Sequence, residues 1–154
     1  RSDVVRELRA DSQRFLKELN EKKPATTEQL AEIWYDSVGG VLDARRRYRY
    51  DETRYTVCNL HSFFNKNTVE FRIFNATLHA GEVKSAMQFC LARTAQAKTT
   101  CKAIYRKTET GNPKYTMRCW MLRLGLIGDE FKTCRFHFLK NLEGNAAWRN
   151  ATTA

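Results

Sequence analysis

"TVEFRIFNAT", residues 68–77, is the stretch on which the fold class turns. Side chains on a strand alternate between its two faces. Val69, Phe71 and Ile73 therefore fall on one side, and Thr68, Glu70, Arg72 and Phe74 on the other. The pattern predicts a strand whose Val69, Phe71 and Ile73 face the core. Glu70 and Arg72 then share the opposite face, about 7 Å apart. That face is not ordinary core, because burying an unpaired charge is very costly. Three readings stay open: an ion pair on a solvated strand, a structural pair covering another element, or a catalytic face. In the last, the carboxylate binds Mg²⁺ and the guanidinium holds a phosphate.

Upstream, residues 56–64 place aromatic and apolar residues around Asn59 and His61 and read as a second strand. Asn65-Lys66-Asn67 supplies turn chemistry between the two, so an antiparallel hairpin near 56–74 is expected. Asn59 and His61 would share a face of it. If that is the face of Glu70 and Arg72, a polar cluster crosses the hairpin.

The remainder reads as helix. Val4, Val5, Leu8, Phe15, Leu16 and Leu19 recur at helical spacing, which predicts a helix over 3–20. Thr26-Thr27-Glu28-Gln29 is a capping-box pattern opening a second helix to about Tyr35, broken by Gly39-Gly40. Residues 80–97 put Val83, Met87, Cys90, Leu91 and Thr94 on one face. Further helices are predicted over 114–124, ended at Gly125, and from Gly128 to about Leu139, with a last turn over 143–148. The expected fold is α+β, mostly helical with a small antiparallel sheet, in a single domain spanning 1–154.

Residues 43–55, "DARRRYRYDETRY", carry five arginines and three tyrosines without an aliphatic period, and are expected as an exposed loop. Arg45, Arg46, Arg47, Arg49 and Arg54 would hold phosphates while Tyr48 and Tyr50 stack on bases. The bland alternative is a solvated basic loop over an anionic small-molecule site. The chain of 154 residues has a net charge of +10 and a pI near 9.6, which points to an anionic partner: nucleic acid, a ribonucleoprotein or an acidic protein surface. Five widely spaced cysteines, with no CxxC or CxxH, argue against a disulfide framework or a zinc site and predict reduced thiols in a cytoplasmic protein. No apolar run approaches the roughly 20 residues of a membrane span.

"TVEFRIFNATLHAGEVKSAMQFCLA" and, downstream, "NPKYTMRCWMLRLGLIGDEFKTCRFHFLKNLEGNAAWR" resemble the amidoligase family, and "NLHSFF" at 59–64 fits the strand that precedes the family's E-F-R strand. The resemblance covers most of residues 12–149. It implies the carboxylate–amine ligase fold of glutamine synthetase and glutamate–cysteine ligase, with ATP and Mg²⁺ as cofactors. In such ligases ATP phosphorylates a carboxylate and an amine attacks the acyl phosphate, so developing charge must be met by metal and arginine. By resemblance, Glu70 is a Mg²⁺ ligand and Arg72 a phosphate or carboxylate clamp with a catalytic role. Asn75 joins it at the strand's end, and Asn59, His61 and His79 line the substrate, His79 as the start or cap of the following helix. The family's paired-acid F-G-x-E-x-E strand and its H-x-H strand are absent from this sequence. The chain is therefore expected to be the C-terminal portion of such a ligase, inactive in isolation. Its rival is a non-catalytic protein of a phage or other mobile element that binds nucleic acid or a ribonucleoprotein, as an anti-CRISPR inhibitor would. A homodimer is also expected, through exposed sheet edges.

Overall fold

A computed structural model describes residues 10–100, 108 and 110–149. The start of the first expected helix, up to residue 9, lies outside them. The described residues divide into two compact units, one running to Asn75 and the other beginning at Ala76.

The first unit opens with helices α1 (Ala10–Lys22), α2 (Thr27–Tyr35) and α3 (Gly39–Arg47). The expected cap holds α2: Thr26 Oγ1 accepts from Gln29 N at 3.2 Å. Gln29 Oε1 reaches back to Ala25 N at 2.9 Å, one residue before the N-cap. Asp36 closes α2 in a left-handed conformation, φ +50°. Gly39, at φ +58°, then opens α3, so the glycine pair starts a helix here. Ala31, Tyr35 and Leu42 form the core of this unit, with Trp34 and Phe64 packed against them. Phe15 of α1 meets the Trp34 ring edge-on, with centroids 4.9 Å apart.

The expected exposed loop over 43–55 is largely ordered helix. Its first part is the end of α3, and Glu52–Tyr55 form a 3₁₀ turn opened by the Asp51 side chain, which accepts from Thr53 N. One buried Leu42 and a run of good helix formers suffice for α3, a pattern too sparse to show as amphipathic.

The hairpin is antiparallel as expected, but short: β1 (Cys58–Asn59) pairs with β2 (Glu70–Phe71). The strand expected over 56–64 stops at Asn59. Asn59 Oδ1 accepts from His61 N at 2.9 Å, which turns the chain into helix α4 (His61–Lys66). Asn67, left-handed at φ +54°, ends α4. Of the three residues expected in the core, Val69 is exposed, and Phe71 and Ile73 are half-buried. A strand of two paired residues flanked by irregular chain offers no continuous face to bury.

The second unit contains α5 (Ala80–Thr99), α6 (Pro113–Arg123) and α7 (Lys132–Leu139), with α5 and α6 both packed on α7. Met121, Leu126 and Cys134 are its core, surrounded by Met117, Trp120, Phe131, Phe138 and Leu139 among others. The buried face of α5 is not the aliphatic stripe. Ser85 and Phe89 point inward, while Val83, Met87 and Leu91 are exposed. Aromatic packing decides this phase: Phe89 stacks on Phe138 at 4.8 Å and meets Trp120 edge-on at 5.6 Å. Gly125 and Gly128, at φ +82° and +85°, shape the turn between α6 and α7. Residues 143–148 form bends and no helical turn. No described helix is long and apolar enough to cross a membrane.

Candidate functional site

The β1–β2 register places Asn59 directly opposite Glu70. Cross-strand partners share a face. Asn59 is fully buried, and its Nδ2 donates to Glu70 Oε2 at 2.7 Å and to Ser62 Oγ at 3.1 Å. Ser62 Oγ lies 3.5 Å from the same carboxylate oxygen. Arg72 Nη1 donates to the other, Oε1, at 3.3 Å. Arg72 is itself tethered, since its backbone N–H donates to Val57 O at 2.8 Å and its guanidinium lies over the Tyr55 ring at 5.3 Å. The hydrogen bond from Asn59 and the charge of Arg72 outweigh partial burial and hold the Glu70 carboxyl below its ordinary range. Glu70 is thus an ionised, oriented carboxylate at the surface, and Arg72 meets it through Nη1.

His61 does not join this face. It is buried at the start of α4, its Nδ1 2.7 Å from Tyr35 Oη and its Nε2 3.3 Å from Asn65 Nδ2. Asn65 also donates to the His61 carbonyl at 2.8 Å. Burial pushes the His61 pKa down and that of Tyr35 up to about 12. The expected pairing of Asn59 with His61 on one strand face fails because residue 61 is already helical. Asn75 is exposed and lies beyond β2. His79 belongs to the second unit, where it is the N-cap of α5, its Nδ1 accepting from Glu82 N at 3.3 Å.

The basic segment is partly neutralised within the first unit. Arg45 Nε donates to the buried Asp51 carboxylate at 2.9 Å, and its Nη1 donates to the Tyr35 carbonyl. Burial pushes the Asp51 carboxyl up, but hydrogen bonds from Arg45 and Thr53 prevail and leave it lowered. Arg46 pairs with Glu28 at 2.8 Å. Arg54 Nη1 donates to the Arg49 carbonyl at 3.1 Å. Arg47, Tyr48, Arg49 and Tyr50 are exposed, the two tyrosine rings 6.3 Å apart and Arg49 over Tyr50 at 5.6 Å.

A second polar cluster centres on Glu82 in the second unit. Lys140 Nζ donates to its Oε1 at 2.6 Å, and Thr77 Oγ1 to its Oε2 at 2.8 Å. His137 Nδ1 lies 3.7 Å from Oε1. The Lys140 and Thr77 hydrogen bonds bring the Glu82 pKa down to about 2. The signal in the sequence is His79-x-x-Glu82, an N-cap followed by an acid at the third helical position.

The described residues do not assemble a Mg²⁺ site around Glu70. Both its oxygens already accept from nitrogen donors, and several further oxygen ligands would be required. No group of three His, Cys, Asp or Glu side chains able to hold a metal occurs among the described residues. Cys90, Cys119 and Cys134 are free thiols, while Cys101 lies outside the described residues.

No curated protein and no solved structure matches the chain. Residues 6–94, more than half of the chain, match the family described as "Putative amidoligase enzyme". The chain belongs to that family.

Proposed function

We propose that this amidoligase-family chain supplies the anion-holding arm of an ATP-dependent carboxylate–amine ligase and is silent as the 154-residue chain alone. The observation that carries the reading is the Asn59–Glu70–Arg72 cluster inside the matched segment. Buried Asn59 fixes Glu70, and Glu70 fixes Arg72, so the guanidinium is aimed before any ligand arrives. A preset cation stabilises charge developing on a carboxylate or acyl phosphate without reorganisation. Arg72 is the clamp, while Asn59 and Glu70 position it. ATP and Mg²⁺ belong to this reaction as cosubstrate and metal, and the described residues supply no group of metal ligands for it.

Turnover tests it. With Mg²⁺, ATP and mixtures of amino acids and amines, the chain should release no phosphate above the blank. Phosphate release that disappears in Glu70→Gln would overturn the reading, because it would make Glu70 a working metal ligand.

The second reading, a non-catalytic binder of nucleic acid, rests on the exposed Arg47-Tyr48-Arg49-Tyr50 run. Since Arg45 and Arg46 are held by Asp51 and Glu28, only Arg47 and Arg49 are available for phosphates there. If RNA binds at this run, Arg47→Ala/Arg49→Ala should flatten the salt dependence of binding by about 2 units. An unchanged slope removes this reading.

A further inference from the structure

The second unit contains a cleft that the amidoligase reading does not use. It has a volume of about 380 Å³ and is lined by Thr108, Thr110, Asn112, Tyr115, Thr116, Cys119, Arg123 and Arg149. All of these residues lie beyond residue 94, where the family match ends. Four of them, Tyr115, Thr116, Cys119 and Arg123, recur at three- and four-residue steps along α6 and therefore share one face of it.

Arg149 comes to that face by a specific device. Asn112 is buried and caps α6, its Oδ1 accepting from Tyr115 N at 3.1 Å. Its Nδ2 faces three carbonyls of the C-terminal segment: Trp148 at 2.8 Å, Asn145 at 3.0 Å and Arg149 at 3.4 Å. Gly144, at φ +98°, lies against Asn112, and a side chain there would collide with Oδ1. The segment is thus pinned across the start of α6 and carries Arg149 with it.

Among the described residues, neither Arg123 nor Arg149 has an acidic partner and no carboxylate lines the cleft. Both residues are exposed, so their guanidiniums are accessible to an incoming anion. The hydroxyls are arranged to help. Thr110 Oγ1 accepts from Asn112 N at 3.1 Å and lies 2.8 Å from Thr116 Oγ1. With Thr110 donating to Thr116, the Thr116 O–H is left to donate to a ligand. Arginine forks together with hydroxyl donors suit a phosphate, whose oxygens accept from several directions at once. The volume admits more than a bare ion.

We propose that this cleft binds a phosphate group, with Arg123 and Arg149 as its ligands and Asn112 as the positioning residue that brings Arg149 to it. The phosphate belongs to a nucleotide or polyphosphate, or to a nucleic-acid backbone. The proposal is independent of the ligase reading, since it involves neither Glu70 nor Arg72.

Cys119 in the cleft reports on occupancy. Alkylation of the full chain would be followed site by site by mass spectrometry, with ADP, tripolyphosphate or a ten-nucleotide single-stranded RNA added. Binding should slow alkylation of Cys119 and leave Cys90, on α5 and outside the cleft, unchanged. Arg123→Ala and Arg149→Ala should each raise the half-protecting concentration about tenfold, and the exposed position of both leaves folding intact. Arg47→Ala/Arg49→Ala should leave it unaltered. Protection by ADP or tripolyphosphate assigns a small phosphate ligand, and protection by RNA alone assigns the backbone. Either supports the proposal. No Cys119 protection by any of the three, or protection that survives the Arg123→Ala/Arg149→Ala double variant, overturns it.

Discussion

Single residues show how polar groups are afforded a place inside this protein. Tyr35 is fully buried, and its hydroxyl is satisfied by His61 Nδ1. Tyr35→Phe removes that partner and should cost about 1–3 kcal/mol in urea unfolding, the expected penalty for stranding a buried polar atom. His61 also sets a pH dependence. Its folded pKa lies below the ordinary 6.5 because of burial, so the unfolded chain takes up the proton first on acidification. Its contribution is complete above about pH 6.5 and is lost as pH falls towards the folded value. Urea midpoints measured from pH 7.5 down to 5.5 should therefore fall, and less so in His61→Gln. Glu82 behaves as the carboxylate counterpart: its NMR titration should have a midpoint near 2 and move up in Lys140→Ala. Glu70, Arg72 and Asn59 were legible as one cluster because strand alternation and cross-strand pairing are simple rules. His61 was not, because a single side-chain bond from Asn59 turned its position from strand to helix.

At the scale of elements, helix ends read well and helix faces poorly. Caps are local chemistry, which is why the Thr26 and His79 starts and the Gly125 stop could be read from sequence. Thr26→Ala should destabilise the chain by about 1 kcal/mol in thermal or urea unfolding. Asn112→Ala should cost about 2–3 kcal/mol, because it removes a cap and strands carbonyls of the 145–149 segment together. Faces depend on what packs opposite. The aliphatic row Val83, Met87 and Leu91 follows helical periodicity as well as any core face, yet α5 buries Phe89 instead. Three aromatic rings from α5, α6 and α7 meet there, and no single-helix pattern contains that information. The brief hairpin reflects the same limit: alternation over 68–74 spans seven residues, but only two pair on each strand.

For the whole molecule, the family match, the charge and the two polar sites lead in a consistent direction. Both proposals take an anion as the ligand. The chain's +10 charge is not a featureless field, since in the first unit Arg45 and Arg46 are committed to Asp51 and Glu28 while Arg72 is aimed by Glu70. The most direct measurement of the central claim is an NMR titration with phosphonoacetate, a stable carboxylate–phosphonate, followed on the Asn59 side-chain amide and the Arg72 Nε–H signals. With EDTA present, both signals should shift on binding, and Arg72→Ala should weaken that binding by roughly tenfold to a hundredfold, as expected for a charge-assisted contact. Replacing EDTA with Mg²⁺ should leave the midpoint unchanged. If instead the shifts appear only with Mg²⁺ and vanish in Glu70→Gln, Glu70 is a metal ligand, and the account of Arg72 as a clamp preset by Glu70 is contradicted.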